Sequence, residues 1–89
     1  MFVSVIHRIS DPDKFFQMVT ANAGKIPSDV RLPQYFTSED HRTMVCLWEA
    51  PSVQSVKDFL EPLSRGMCIN EYVAVDLGAS KGLPATQSV

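Results

Sequence analysis

Long hydrophobic runs are missing from this chain of 89 residues. No apolar stretch approaches the roughly 18 residues of a membrane-spanning helix, so no membrane partner is expected. Charge of one sign is also scarce: 8 Lys and Arg stand against 10 Asp and Glu, a net charge of −2. The basic residues form no cluster, which argues against nucleic acid as a partner. Glycine occurs 4 times and never as a phosphate-cradling GxGxxG. Neither GxSxG nor a local Cys–His signature marks a nucleophile. Two cysteines, Cys46 and Cys68, are too few for a disulfide framework. The start, MFVSVIHR, has no basic n-region and no small-residue cleavage site, so a secretory leader is not expected. These absences point to a cytoplasmic protein with two reduced, buried thiols.

What remains is an ordinary globular balance, 45% apolar and 20% charged. The length suits one domain, able to bury roughly 64% of its unfolded surface. Composition shifts once, near Leu77. Residues 1–77 read as the domain and 78–89 (GASKGLPATQSV) as a C-terminal tail with little to bury.

Phe2 to Ile9, rich in β-branched residues, predicts a first strand. Ser10-Asp11-Pro12 reads as a helix start, with Ser10 or Asp11 as N-cap. Phe15, Phe16, Val19 and Ala23 then recur at helical spacing, and Gly24 is a stop signal. Lys25 to Arg31 is a loop, Leu32 to Ser38 a strand, and Glu39-Asp40-His41-Arg42 a polar turn. Thr43 to Glu49 is the strongest strand in the chain. Ser52 caps a second helix whose apolar face is Val53, Val56, Phe59, Leu60 and Leu63. Pro62 is expected to break or bend that helix near Glu61 and open a short turn towards Gly66. Cys68 to Asp76 is the last strand.

The order β-α-β-β-α-β is the signature of a ferredoxin-like α+β sandwich: a four-stranded antiparallel sheet with both helices on one face. Yet both faces of the sheet read as apolar. In the third strand Val45 and Leu47 oppose Met44, Cys46 and Trp48; in the fourth, Val73 and Val75 oppose Tyr72 and Ala74. Two helices cover one face, so the other calls for a partner, most simply a second copy.

The first strand FVSVIHRI, the segment MVCLWEAPSVQSVKDFL and the closing strand EYVAVD resemble the dimeric α/β-barrel superfamily. In that superfamily two ferredoxin-like protomers pack sheet to sheet. The run aliphatic-x-aliphatic-Trp-Glu-small-x-x-x-aliphatic is similar to that of antibiotic-biosynthesis monooxygenases and their haem-degrading relatives. The stretch YFTSEDHRTMVCLWEAPSVQSVKDF also resembles a family of small proteins with a nickel-linked branch. The resemblance spans residues 2 to 76. It implies a homodimer paired through the sheet face that holds a small apolar or aromatic molecule. Its alternatives are a cofactor-independent monooxygenase or cyclase acting on an aromatic or polycyclic substrate, and a metal-binding protein. Trp48 matches the cavity Trp of these relatives. His7 stands where the haem-degrading members keep an Asn, and the second helix carries no His.

Candidate site residues follow from chemistry. His7 interrupts an apolar strand and titrates near neutrality, which suits a general base. Its parity groups it with Val3 and Val5 without fixing which face they share. Trp48, the single tryptophan, offers a flat wall and one N–H donor. Met44 and Cys46 share its parity as soft cavity liners. Asn70 and Tyr72, together on the fourth strand, are candidates to orient a ligand oxygen. No CxxC or HxxxH spacing is present, so no metal ligands and no cofactor are assigned. Asp58, Glu61, Lys57 and Arg65 read as the solvated face of the second helix, and His41 as part of an exposed turn.

Overall fold

The β-branched alternation of the first segment forms strand β1 (Phe2–Ile9). The structure, a computed structural model, describes residues 1–86; the end of the expected tail, 87–89, lies outside the described residues. Asp11 caps helix α1 (Pro12–Asn22), its carboxylate accepting from the Lys14 amide at 3.2 Å, with Pro12 in the first turn. α1 ends at Asn22, and Gly24 sits within a following 3-10 turn, Ala23–Lys25. Strand β2 (Arg31–Thr37) has a register irregularity between Arg31 and Gln34. Pro33 lies inside it and brings no amide donor, which an edge strand tolerates.

The turn before strand β3 (Thr43–Glu49) is built by Asp40. Its carboxylate accepts from the Ser38 hydroxyl at 2.6 Å and the Arg42 amide at 3.0 Å. His41 takes the left-handed conformation there, φ 60°. Helix α2 (Val53–Ser64) opens on a reciprocal capping box between Ser52 and Ser55. The expectation was a break or bend near Glu61; the helix is unbroken through Pro62 and stops at Ser64. Only the last turn follows Pro62, so its missing N–H costs one bond near an end where carbonyls already lack partners. Gly66, at φ 80°, then reverses the chain into strand β4 (Cys68–Ala74). β4 ends two residues before Asp76, because Asp76 caps a 3-10 turn, Leu77–Ala79.

The strands form one antiparallel sheet in the order β2-β3-β1-β4, the ferredoxin-like arrangement. Register settles the faces. Val3 pairs with Trp48, Val5 with Cys46, and His7 with Met44 and Asn70. These residues share a face with the buried side chains of both helices, Phe15 of α1 and Val56 and Leu60 of α2. The core lies in that one layer.

On the opposite face Ile6 pairs with Val45, Ser4 with Leu47 and Val73, and Phe36 with Val45. Phe36 is 67% exposed, Ile69 75% and Val73 41%. Phe2 shares this parity yet is buried. At its end of the sheet the chain beyond β4 returns to β2, where the Arg31 guanidinium donates to the Ala85 carbonyl at 3.0 Å and to Glu49 at 2.7 Å.

Candidate functional site

Between the sheet and the helices lies a cavity of about 130 Å³. Its sheet wall is His7, Met44, Cys46 and Trp48, with Leu32 and Tyr35 from β2. Phe15, Met18 and Val19 of α1 close one side, and Phe59, Leu60 and Leu63 of α2 the other. The walls are almost wholly apolar because each element turns its hydrophobic stripe inward. A cavity of this size is close to what a single ring occupies: one of about 150 Å³ binds benzene.

Three side chains with polar groups stand on the sheet wall: Tyr35, which is exposed, and Trp48 and His7, which are buried. Trp48 is buried, packs edge to face on Phe59 with centroids 6.0 Å apart, and its Nε1 has no hydrogen-bond partner. A buried N–H left unpaired costs about 1–3 kcal/mol. His7 is also buried, its ring tilted against Phe15 at 5.2 Å. Burial pulls its pKa below the ordinary histidine value; hydrogen bonding to Asn70 and the charge of Glu61 oppose that only in part. His7 is therefore a neutral imidazole at pH 7.

Behind His7 lies a polar cluster joining β4 to α2. His7 Nδ1 is 2.5 Å from Asn70 Oδ1. Asn70 Nδ2 donates to Glu61 Oε2 at 2.6 Å and to Ser64 Oγ at 2.9 Å. The Tyr72 hydroxyl donates to the same Glu61 oxygen at 2.7 Å, and Lys57 Nζ sits 5.3 Å from the centre of the Tyr72 ring. The hydrogen bonds from Tyr72 and Asn70 hold Glu61 below the usual carboxylate range. Burial, then Glu61, push the Tyr72 phenol up. The Cys68 thiol donates to Asn70 Oδ1 at 3.1 Å.

The six candidates thus fall into two groups. His7, Met44, Cys46 and Trp48 meet at the cavity. Asn70 and Tyr72 lie beside it in the polar cluster, bonded to Glu61. Glu61 is on the exposed side of α2 as expected, but helical periodicity carries no sign of its bonds to β4. Cys46 is buried, and burial raises its thiol pKa to about 12. Cys68 is only half-buried, contrary to the expectation of two buried thiols, because it begins the edge strand β4. Both cysteines are free. His41 stays in its turn, its ring 5.4 Å from Phe16. The cavity residues of α1 and β2, Met18 and Tyr35 among them, carry no signal in the sequence that marks them as cavity liners.

Among the described residues no three His, Cys, Asp or Glu side chains converge as a metal site requires. Nor is any helix among them long and apolar enough to cross a membrane. Searches of protein-family models, of curated proteins and of solved structures find no match to this chain.

Proposed function

We propose that this protein binds a small apolar or aromatic molecule in the cavity between sheet and helices, as a homodimer paired through the open sheet face. The observation that carries the binding reading is the apolar cavity itself, with the buried His7 imidazole and the Trp48 side chain on its sheet wall. A site that is mostly apolar, with a few convergent polar groups, is the usual form of a small-molecule pocket. The volume of about 130 Å³ favours one ring over a polycyclic ligand. The homodimer is supported by the exposed apolar residues of the open face.

A second reading, a cofactor-independent monooxygenase or cyclase, draws on one observation: a buried, neutral His7 on the cavity wall can accept a proton. On that reading the substrate is again a single ring. Nothing among the described residues favours the metal-binding reading.

Trp48 is the only tryptophan, so its fluorescence reports the cavity directly. Titration with toluene is expected to change that emission saturably and to give matching calorimetric heats. His7→Ala is expected to change the affinity, and Trp48→Phe to remove the optical signal and alter the heat. Calorimetric binding indifferent to both substitutions places the site elsewhere. The absence of binding by any single-ring probe ends the reading.

A further inference from the structure

The polar cluster behind His7 fixes the tautomer of its ring. Glu61 bears a carboxylate, which only accepts hydrogen bonds, so the Asn70 atom 2.6 Å from it is the NH₂ group. The Asn70 atom facing His7 is therefore the carbonyl oxygen, which cannot donate. His7 must hold its proton on Nδ1. The Cys68 thiol fills the second lone pair of the same oxygen at 3.1 Å. All the hydrogen bonds that His7 makes among the described residues are at Nδ1. Nε2 is left as a bare lone pair on a residue that lines the cavity.

We propose that Glu61 and Asn70 are positioning residues that lock His7 in the Nδ1–H tautomer, so that Nε2 accepts a hydrogen bond from a hydroxyl on a single-ring ligand, a phenol. The proposal rests on the binding reading above and adds the ligand class. Depression of the His7 pKa by burial supports it, since an imidazolium would present a donor instead. An apolar ring without a hydroxyl leaves Nε2 unpaired, the costly half of the hydrogen-bond asymmetry.

The test uses the full chain, labelled with ¹⁵N, and three probes of similar size: phenol, anisole and toluene. Long-range ¹H–¹⁵N spectra distinguish a protonated ring nitrogen from a bare one. The only other histidine, His41, is assigned with His41→Asn, a substitution its left-handed backbone accepts. The expected result is a protonated Nδ1 and a bare Nε2 in His7, with Nε2 shifting when phenol binds. Phenol is expected to bind about tenfold more tightly than anisole, the worth of one hydrogen bond. In Asn70→Ala the His7 tautomers are expected to mix, and the preference for phenol over anisole to shrink while toluene binding persists. Glu61→Ala, at an exposed position, should move the tautomer the same way. A wild-type His7 protonated on Nε2 overturns the lock. Equal affinity for phenol and anisole overturns the ligand class and leaves the cavity reading standing. Binding of none of the three probes overturns both the cavity reading and the ligand class. The decisive measurements are made on the wild-type chain, so they hold even if Asn70→Ala fails to fold.

Discussion

At the scale of single residues, burial sets the chemistry of His7. Its folded-state pKa lies below the ordinary value, so as pH falls the unfolded chain takes up the proton first. The stability that neutral His7 contributes is complete above about pH 6.5 and is lost as pH falls from there through the folded pKa. The groups around it are Phe15, Cys68, Asn70 and, through Asn70, Glu61 and Tyr72. Glu61, also depressed, acts with the same sign further into acid. Urea midpoints are expected to fall between pH 8 and pH 5, and His7→Gln to flatten that fall. A wild-type midpoint constant over this range contradicts a buried neutral imidazole. The two thiols should differ as well. Cys46 is buried with its pKa near 12, whereas Cys68 is half-exposed, so mass spectrometry after iodoacetamide treatment at pH 8 should find Cys68 modified first. The sequence made half of this site legible. A lone His and the single Trp in strands of fixed parity stand out against apolar neighbours. The Asn70–Glu61 contact does not, because it depends on α2 lying alongside β4, and a side chain on a helix's polar face reads as solvated whatever it reaches.

At the scale of elements, local chemistry explains most boundaries. Alternation set the strands, and Asp11 and Ser52 set the helix starts. Ser52 satisfies the Ser55 amide at 3.1 Å, and the Ser55 hydroxyl accepts from the Ser52 amide at 3.3 Å. Ser52→Ala is expected to lower stability by about 1 kcal/mol, measured by urea unfolding. Where the reading erred, a competing interaction won. Pro62 does not end α2 at Glu61, since the final turn has tertiary support. Leu60 is buried in the core, and the Ser64 hydroxyl oxygen accepts from Asn70 Nδ2 of β4 at 2.9 Å. Helices in proteins draw most of their stability from such packing rather than from propensity. Pro62 still lacks the N–H that the Asp58 carbonyl would take. Pro62→Ala should therefore raise stability, by up to about 3 kcal/mol and less if the last turn frays. An unchanged or lower urea midpoint would mean that the proline ring packs well enough to offset its missing bond.

At the scale of the whole molecule, one sheet and one helix layer make a slab, 35 × 25 × 18 Å. Its surface of 5702 Å² exceeds the roughly 5,200 Å² typical of a monomer of this mass. Part of that surface is the sheet face that no helix covers. Across it Phe36, Val45 and Ile6 lie in one cross-strand row, and Leu47, Ser4 and Val73 in the next. Around them Arg8 pairs with Glu71 at 2.9 Å and Arg31 with Glu49 at 2.7 Å, so positive and negative groups alternate along the margin. A margin of mixed sign can meet its own copy across a twofold axis without like charges facing throughout. A stable pair would bury about 1,600 Å² in total, roughly 800 Å² from each copy. The segment reaching Ala85 occupies one end of this face, leaving the rows centred on Val45 for contact. Light scattering at micromolar concentration is expected to give about twice the 9.9 kDa chain mass. Val45→Lys puts a charge at the middle of the apolar row while leaving the opposite, core-facing layer intact, so it should yield a folded monomer with an unchanged far-ultraviolet spectrum. A wild-type chain that stays monomeric at these concentrations removes the homodimer from the proposal. The cavity lies on the other side of the sheet and is lined within one chain, so the binding proposal does not depend on that outcome.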